Sequence, residues 1–180
     1  MDYSLAAGYL DAGAMGLMLP RVEEVSDTEG LVSFMKYPPV GVRGLSSDAP
    51  RSDYNFGDLG EFIRIKNEDT LAIAQIERRT AVDNLEKIIS VPGIDVALIG
   101  PEDLSLSYGL PGQTNHPTVV EAIQKVIDIS IEAGVAPGIH MGSIERLSEW
   151  RDRGMQMIMY NSDLGFLLEG AEFGVKALKS

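Results

Sequence analysis

Four times in this chain a helical pattern closes at a glycine and an apolar run begins shortly afterwards. The glycines are Gly13, Gly93, Gly134 and Gly154, and the runs cover residues 15–19, 95–99, 136–140 and 155–160. A fifth run, Leu71–Ile76, follows a helical stretch over residues 59–66. Short apolar runs divided by amphipathic helices read as buried parallel strands, because parallel neighbours need a crossover and a helix is the usual one. The crossovers are right-handed, so all strands leave the sheet at the same edge. The expectation is an α/β fold with five parallel strands. With no linker-like stretch, residues 1–180 read as a single domain.

The helix signals fit that rhythm. Residues 2–12 read as a helix capped by Asp2 or Ser4. Ser26, with Glu29 three residues on, predicts a capping box for a helix carrying Leu31, Val32, Phe34 and Met35, which the prolines at 38 and 39 end. Residues 40–58, rich in Gly, Ser, Asp and Pro, read as a long loop, usually functional or interfacial in a compact domain. Residues 80–89 read as one amphipathic helix with Ala81, Val82, Leu85, Ile88 and Ile89 inward. A helical turn is expected over residues 104–109. Pro117 starts a helix to residue 133 with Val119, Val120, Ile123, Val126, Ile127 and Ile131 on the core face. Ser143 and Asp163 are expected to cap the last two helices.

Charge and composition exclude several functions. The net charge of −12 argues against nucleic acid and against an anionic membrane surface. The chain has no cysteine, which removes disulfides, thiolate metal sites and cysteine nucleophiles. No apolar run approaches the roughly 20 residues of a membrane span, and the start lacks a basic signal-like region. A cytoplasmic location is the expectation.

In such a fold, chemistry is read from the residues just after each strand. These are Pro20 and Arg21; Gln75 and Glu77; Pro101, Glu102 and Asp103; His140 and Met141; and Asn161 to Asp163. Glu77 reads either as a salt-bridge partner of Arg21, Arg78 or Arg79, or as a metal ligand. Asp103 reads either as a helix cap or as a second ligand. Two carboxylates at adjacent strand ends, with Gln75 two residues before Glu77 on the same pleat face, suit Mg2+ or Mn2+, which leave positions for substrate oxygens. His116, before Pro117, reads as a cap or an exposed turn residue. His140 reads as a packing or outer-layer residue near the site. Every lysine falls on a helix or helix end, so a buried imine-forming lysine at a strand end is disfavoured. No G-x-G-x-x-G or P-loop pattern is present. Ser105 and Ser107 lack an elbow motif and a neighbouring histidine, which weakens a hydrolase triad.

Ala74-Gln75-Ile76-Glu77, followed by Ile99-Gly100-Pro101-Glu102-Asp103-Leu104-Ser105, resembles the HpcH/HpaI family of metal-dependent 2-oxo-acid aldolases. So do Leu10-Asp11-Ala12-Gly13-Ala14, Met18-Leu19-Pro20, Tyr37-Pro38-Pro39 with Gly41-Val42-Arg43-Gly44, and Ala136-Pro137-Gly138-Ile139. The resemblance runs over essentially the whole chain. It implies a (β/α)8 TIM barrel of the phosphoenolpyruvate/pyruvate type, the five strands here matching strands four to eight. It implies a class II aldolase that cleaves 4-hydroxy-2-oxo acids to pyruvate and an aldehyde. By motif, Glu77 and Asp103 would hold Mg2+ or Mn2+, with Co2+ a further option. Gln75 would hold water or substrate. Gly100, Pro101, Glu102 and Asp103 would bind substrate, the amides around Glu102 and Asp103 receiving the pyruvate carboxylate. Arg21 and His140 would support from outside the metal ligands. Glu102 stands where the family often has a small residue.

The resemblance also implies homo-oligomers, trimers or hexamers, built partly through the last helix. The family's acid/base histidine and its carbonyl-polarising arginine belong to the first three strands and match no residue here. An incomplete barrel domain and an impaired aldolase are therefore expected. Two alternatives remain: a non-catalytic oligomerising remnant, and a citryl- or malyl-CoA-type lyase, against which stands the lack of a basic cluster for the CoA phosphates.

Overall fold

The computed structural model describes residues 2–45 and 57–179. It contains helix α1 (Tyr3–Asp11), strand β1 (Gly16–Leu19), α2 (Val25–Met35), α3 (Leu59–Asp69) and β2 (Leu71–Ile76). Then come α4 (Arg79–Asp83), α5 (Leu85–Ile89), β3 (Val96–Ile99), α6 (Pro101–Ser107), α7 (Pro117–Glu132) and β4 (Ala136–Met141). The described chain closes with α8 (Ile144–Asp152), β5 (Met157–Tyr160) and α9 (Asp163–Lys179).

The five strands form one wholly parallel sheet in the order β1-β2-β3-β4-β5. Sequence order and spatial order coincide, so the sheet is wound in one direction only. A doubly wound sheet would reverse its order somewhere. Right-handed crossovers wound one way put the covering helices on one face, and the twisted sheet curls around the other, as in an arc of a (β/α)8 barrel. Alternation along the strands makes two apolar layers. Ala72, Ala74, Ile76, Ala97, Ile99 and Ile139 face the helices within the larger core. Ile73, Val96 and Leu98, with Met157 and Met159, fill the inner face. A Cβ on Gly138 would lie 2.9 Å from Leu98 Cδ1, so any side chain there would force Leu98 to shift.

Several helix boundaries depart from expectation for identifiable reasons. α2 starts before Ser26, because the Asp27 carboxylate accepts the Glu23 and Glu24 N–H groups at 2.9 and 3.0 Å. The single helix expected over 80–89 is two, parted at Asn84, whose side chain donates to the Glu23 carbonyl at 3.2 Å. All five residues expected inward there are buried. α6 begins at Pro101 rather than at residue 104. On α7 the buried stripe runs through Val119, Ala122, Ile123, Val126, Ile127 and Ser130, while Val120 is half-buried and Ile131 is exposed. Eleven residues at 100° each bring position 130 back to within about 20° of Val119 and leave position 131 about 120° away. Asp163 lies inside α9, and the Ser162 hydroxyl accepts the Gly165 N–H instead. Asp2, His116 and Ser143 cap as expected. Of the expected loop, residues 40–45 are irregular, 46–56 lie outside the described residues, and Asp58 caps α3.

The edge of the sheet where strands begin is tied by buried charge. Lys36 Nζ donates to the carbonyls of Asn67 and Thr70 at 2.6 and 2.5 Å and lies 3.8 Å from Asp95. This buried lysine is thus structural and lies at the edge away from the strand ends that carry the acids. Arg43, wholly buried, donates from Nη2 to Asp11 at 2.6 Å and lies over the Tyr37 ring at 4.8 Å. Among the described residues its Nε and Nη1 have no hydrogen-bond partner. α9 differs from every other long helix in burying no residue; Leu167, Phe173 and Leu178 are exposed. Among the described residues no helix is long and apolar enough to cross a membrane.

Removing Asp11 would leave the buried Arg43 charge without its acid. Asp11→Ala is expected to cost about 2 kcal/mol, below the 3–5 kcal/mol of a fully buried pair because the Asp11 side chain is 36% exposed. Urea unfolding measures it; a loss under about 0.5 kcal/mol would show the guanidinium to be satisfied without Asp11.

Candidate active site

The site forms where β1, β2 and β3 end. Leu19 pairs with Ala74, and Ile76 with Ile99. The next residues, Pro20 and Arg21, then Glu77, then Gly100, are therefore neighbours along one rim. There they line a cleft of about 610 Å3 with Gln75, Arg78, Asp103, Leu106 and Ser107.

Glu77 is its centre. It is 5% exposed, and among the described residues its carboxylate accepts two hydrogen bonds. Oε1 accepts the backbone N–H of Arg21 at 2.8 Å, and Oε2 accepts Gln75 Nε2 at 2.7 Å. Burial pushes the carboxyl above its ordinary value, opposed by the Arg21 N–H bond. The nearby Asp103 charge raises it further, while the Arg21 and Arg78 charges lower it. No arginine forms an ion pair with it: Arg78 pairs with Glu23 at 3.3 Å and Arg79 with Asp83 at 3.7 Å. The salt-bridge reading of Glu77 therefore fails among the described residues, and a buried acid is left facing a second acid.

Two backbone features make this arrangement fit. Arg21 has φ +57°, a conformation that costs a non-glycine residue about 1 kcal/mol or more. Its N–H is aimed at Glu77 in that conformation. Gly100 supplies room: a Cβ there would lie 2.9 Å from Gln75 Nε2 and 3.1 Å from Glu77 Oε2. Beyond Gly100, Pro101 opens α6, and the first helical N–H to bond back is that of Leu104, to the Gly100 carbonyl at 2.9 Å. The Glu102 and Asp103 amides, in the first turn, precede any intrahelical acceptor.

Of the site residues read from the sequence, Arg21, Gln75, Glu77 and Asp103 line the cleft together, and Gly100 borders it. Pro101 is buried and Glu102 is exposed, and neither lines the cleft. His140 also stands apart: its Nε2 lies 2.8 Å from the Asn161 carbonyl, beside β5. Asp103 is not the cap of α6, because it lies in that helix's first turn. Ser105 is buried and donates to the Glu102 carbonyl at 2.7 Å, and the cleft-lining Ser107 donates to the Leu104 carbonyl at 2.9 Å, so both hydroxyls are committed to α6 backbone. The contributions of Arg78 and Ser107 were not foreseen; no local pattern marks them. Among the described residues no group of three or more His, Asp or Glu side chains forms a metal-binding cluster.

Residues 2–169 match the HpcH/HpaI aldolase/citrate lyase family. The chain belongs to that family. An HpcH/HpaI aldolase from Desulfitobacterium hafniense DCB-2 superposes with a TM-score of 0.94 at 32% identity, over 100% of this chain and 70% of that one. An HpcH/HpaI aldolase/citrate lyase family protein from Burkholderia cenocepacia J2315 follows with a TM-score of 0.87 at 30% identity, over 99% and 70%. A Salmonella typhimurium protein named 4-hydroxy-2-oxo-heptane-1,7-dioate aldolase is 35% identical over 172 residues, covering 93% of this chain and 65% of its own length. The chain thus spans about two thirds of the HpcH/HpaI proteins it resembles, and the acids at the ends of β2 and β3 fall inside that shared part.

The raised Glu77 carboxyl carries a stability consequence. Between its unfolded value near 4.5 and its higher folded value, the native protein holds more protons than the unfolded chain, so stability falls as pH rises through that window. Glu77→Gln, which cannot ionise, is expected to melt above the native protein at neutral pH, with the gap closing below pH 4.5. Thermal melts across pH measure this; equal melting temperatures at neutral pH would contradict it.

Proposed function

We propose that this chain forms the divalent-cation half of a class II aldolase site acting on 4-hydroxy-2-oxo acids. The observation that carries the reading is the buried Glu77 carboxylate, without an ion pair among the described residues, lining one cleft with Asp103, whose charge it feels. The residues fit a hard cation. Both acids offer oxygen donors, and each Glu77 oxygen keeps a lone pair beyond its one neutral hydrogen bond. A cation there would also offset the burial cost of the Glu77 charge. Mg2+ or Mn2+ suits two carboxylates, with the remaining positions left to water and substrate. The Salmonella typhimurium relative, named 4-hydroxy-2-oxo-heptane-1,7-dioate aldolase, supports the reaction class.

Glu77 and Asp103 would hold the cation. When bound, it draws electron density from the 2-oxo group and so favours cleavage of the C3–C4 bond. The chain's own residues then orient the substrate. The Asp103 amide, in the first turn of α6, would present its N–H to the substrate carboxylate, a donor type that favours developing negative charge. Gln75, fixed by its bond to Glu77, turns its remaining amide capacity toward water or substrate. The Arg21 N–H holds Glu77 in place through the cycle. The proton of the 4-hydroxyl group is assigned to no residue of this cleft.

Titration calorimetry with Mn2+ tests the reading, beside pyruvate release from a 4-hydroxy-2-oxo acid. The expected result is one cation per chain, an at least roughly tenfold loss in Glu77→Gln and in Asp103→Asn, and pyruvate release that depends on the cation. Mn2+ affinity unchanged in both variants would overturn it.

A further inference from the structure

Arg21 is the cation of this cleft that the structure leaves unspent. Among the described residues, every other arginine either lies within 4.0 Å of a carboxylate or lies over an aromatic ring. Arg21 does neither, in a chain whose net charge is −12. Its charge is felt by Glu77, yet its guanidinium forms no ion pair with Glu77 or with Asp103. The backbone beneath it is held at φ +57° by the N–H bond to Glu77. A left-handed position that glycine would occupy without cost carries instead a long, charged side chain lining the cleft.

The strand order places that charge. Arg21 follows β1, Glu77 follows β2, and Gly100 with the first turn of α6 follows β3. Arg21 and α6 thus flank Glu77 on opposite sides, two strand spacings or about 10 Å apart. Under the reading above, the 2-oxo-acid end of a substrate lies at Glu77, Asp103 and the α6 amides. Its far end, the part that leaves as the aldehyde, then extends toward β1. A planar guanidinium with free donors there matches a carboxylate bidentately.

We propose that Arg21 is a specificity-determining residue, binding a second carboxylate at the aldehyde end so that the site prefers 2-oxo diacids to 2-oxo monoacids. This rests on the proposed orientation of substrate across Glu77.

The test uses 2-oxoadipate and 2-oxohexanoate, which differ only in a terminal carboxylate against a methyl group and, lacking a 4-hydroxyl, are not cleaved. Both are titrated by calorimetry into the 180-residue chain with and without Mn2+. The native chain is expected to bind the diacid about tenfold more tightly, the scale of one charge-assisted pair. Arg21→Gly keeps the left-handed backbone and its N–H, and should bind both acids alike in the Mn2+-free titrations, with 2-oxohexanoate held as tightly as by the native chain. Arg21→Lys, with charge but no fork, should fall between. The proposal is overturned if the native chain shows no preference, if neither acid binds, if Arg21→Gly retains the preference, or if it weakens both acids equally, which would put the guanidinium at the 2-oxo-acid end. If Glu77→Gln binds Mn2+ as tightly as the native chain, the cation reading fails separately, and the diacid-to-monoacid ratio in the Mn2+-free titrations still decides the role of Arg21.

Discussion

A buried carboxylate with no ion-pair partner among the described residues is the constraint around which this fold is arranged. Glu77 stands at the end of β2 with one backbone N–H and one side-chain amide as its partners. Such a group is costly to keep charged in a protein interior. The surrounding structure bears that cost in specific places. Arg21 takes an unfavourable backbone conformation to aim its N–H. Gly100 gives up its side chain to leave room. Gln75 commits one of its donors. Strain and an uncompensated charge at one point of an otherwise well-packed sheet are the pattern of a functional site rather than of a structural one.

The rest of the molecule explains why these groups meet. A parallel sheet wound in one direction delivers consecutive strand ends to one rim, so residues 56 apart in sequence, Arg21 and Glu77, become hydrogen-bonded neighbours. The register is secured from both faces, by the larger core under the helices and by Ile73, Val96 and Leu98 within. At the opposite edge, Lys36 and Arg43 bind helix ends and loops with buried charge. Buried ion pairs lie at one end of the strands and the candidate site at the other, the division usual in βα barrels.

Much of this was legible in the sequence because it depends on short-range patterns. Apolar runs marked all five strands, four of them after a glycine, and Asp2, His116 and Ser143 marked three helix starts. The motifs around Gln75, Glu77 and Asp103 marked the cleft. The misreadings have local physical causes. Asp27 captured amides upstream of Ser26, Asn84 turned its side chain to a neighbouring loop, and the drift of a 3.6-residue helix brought Ser130 inward in place of Ile131. The placement of His140 away from the cleft and the left-handed backbone of Arg21 had no sequence signal, because both depend on partners distant in the chain.

Membership of the HpcH/HpaI family rests on nearly the whole chain, whereas a role for the cleft rests on a few atoms around Glu77. Those atoms can be interrogated directly. Crystals of the chain grown with Mn2+ and measured by anomalous scattering should show one ion bonded to both the Glu77 and the Asp103 carboxylates, in the space beside Gly100. An ion bound elsewhere, or a cleft in which Glu77 and Asp103 share no ion, would contradict a cation site at this rim.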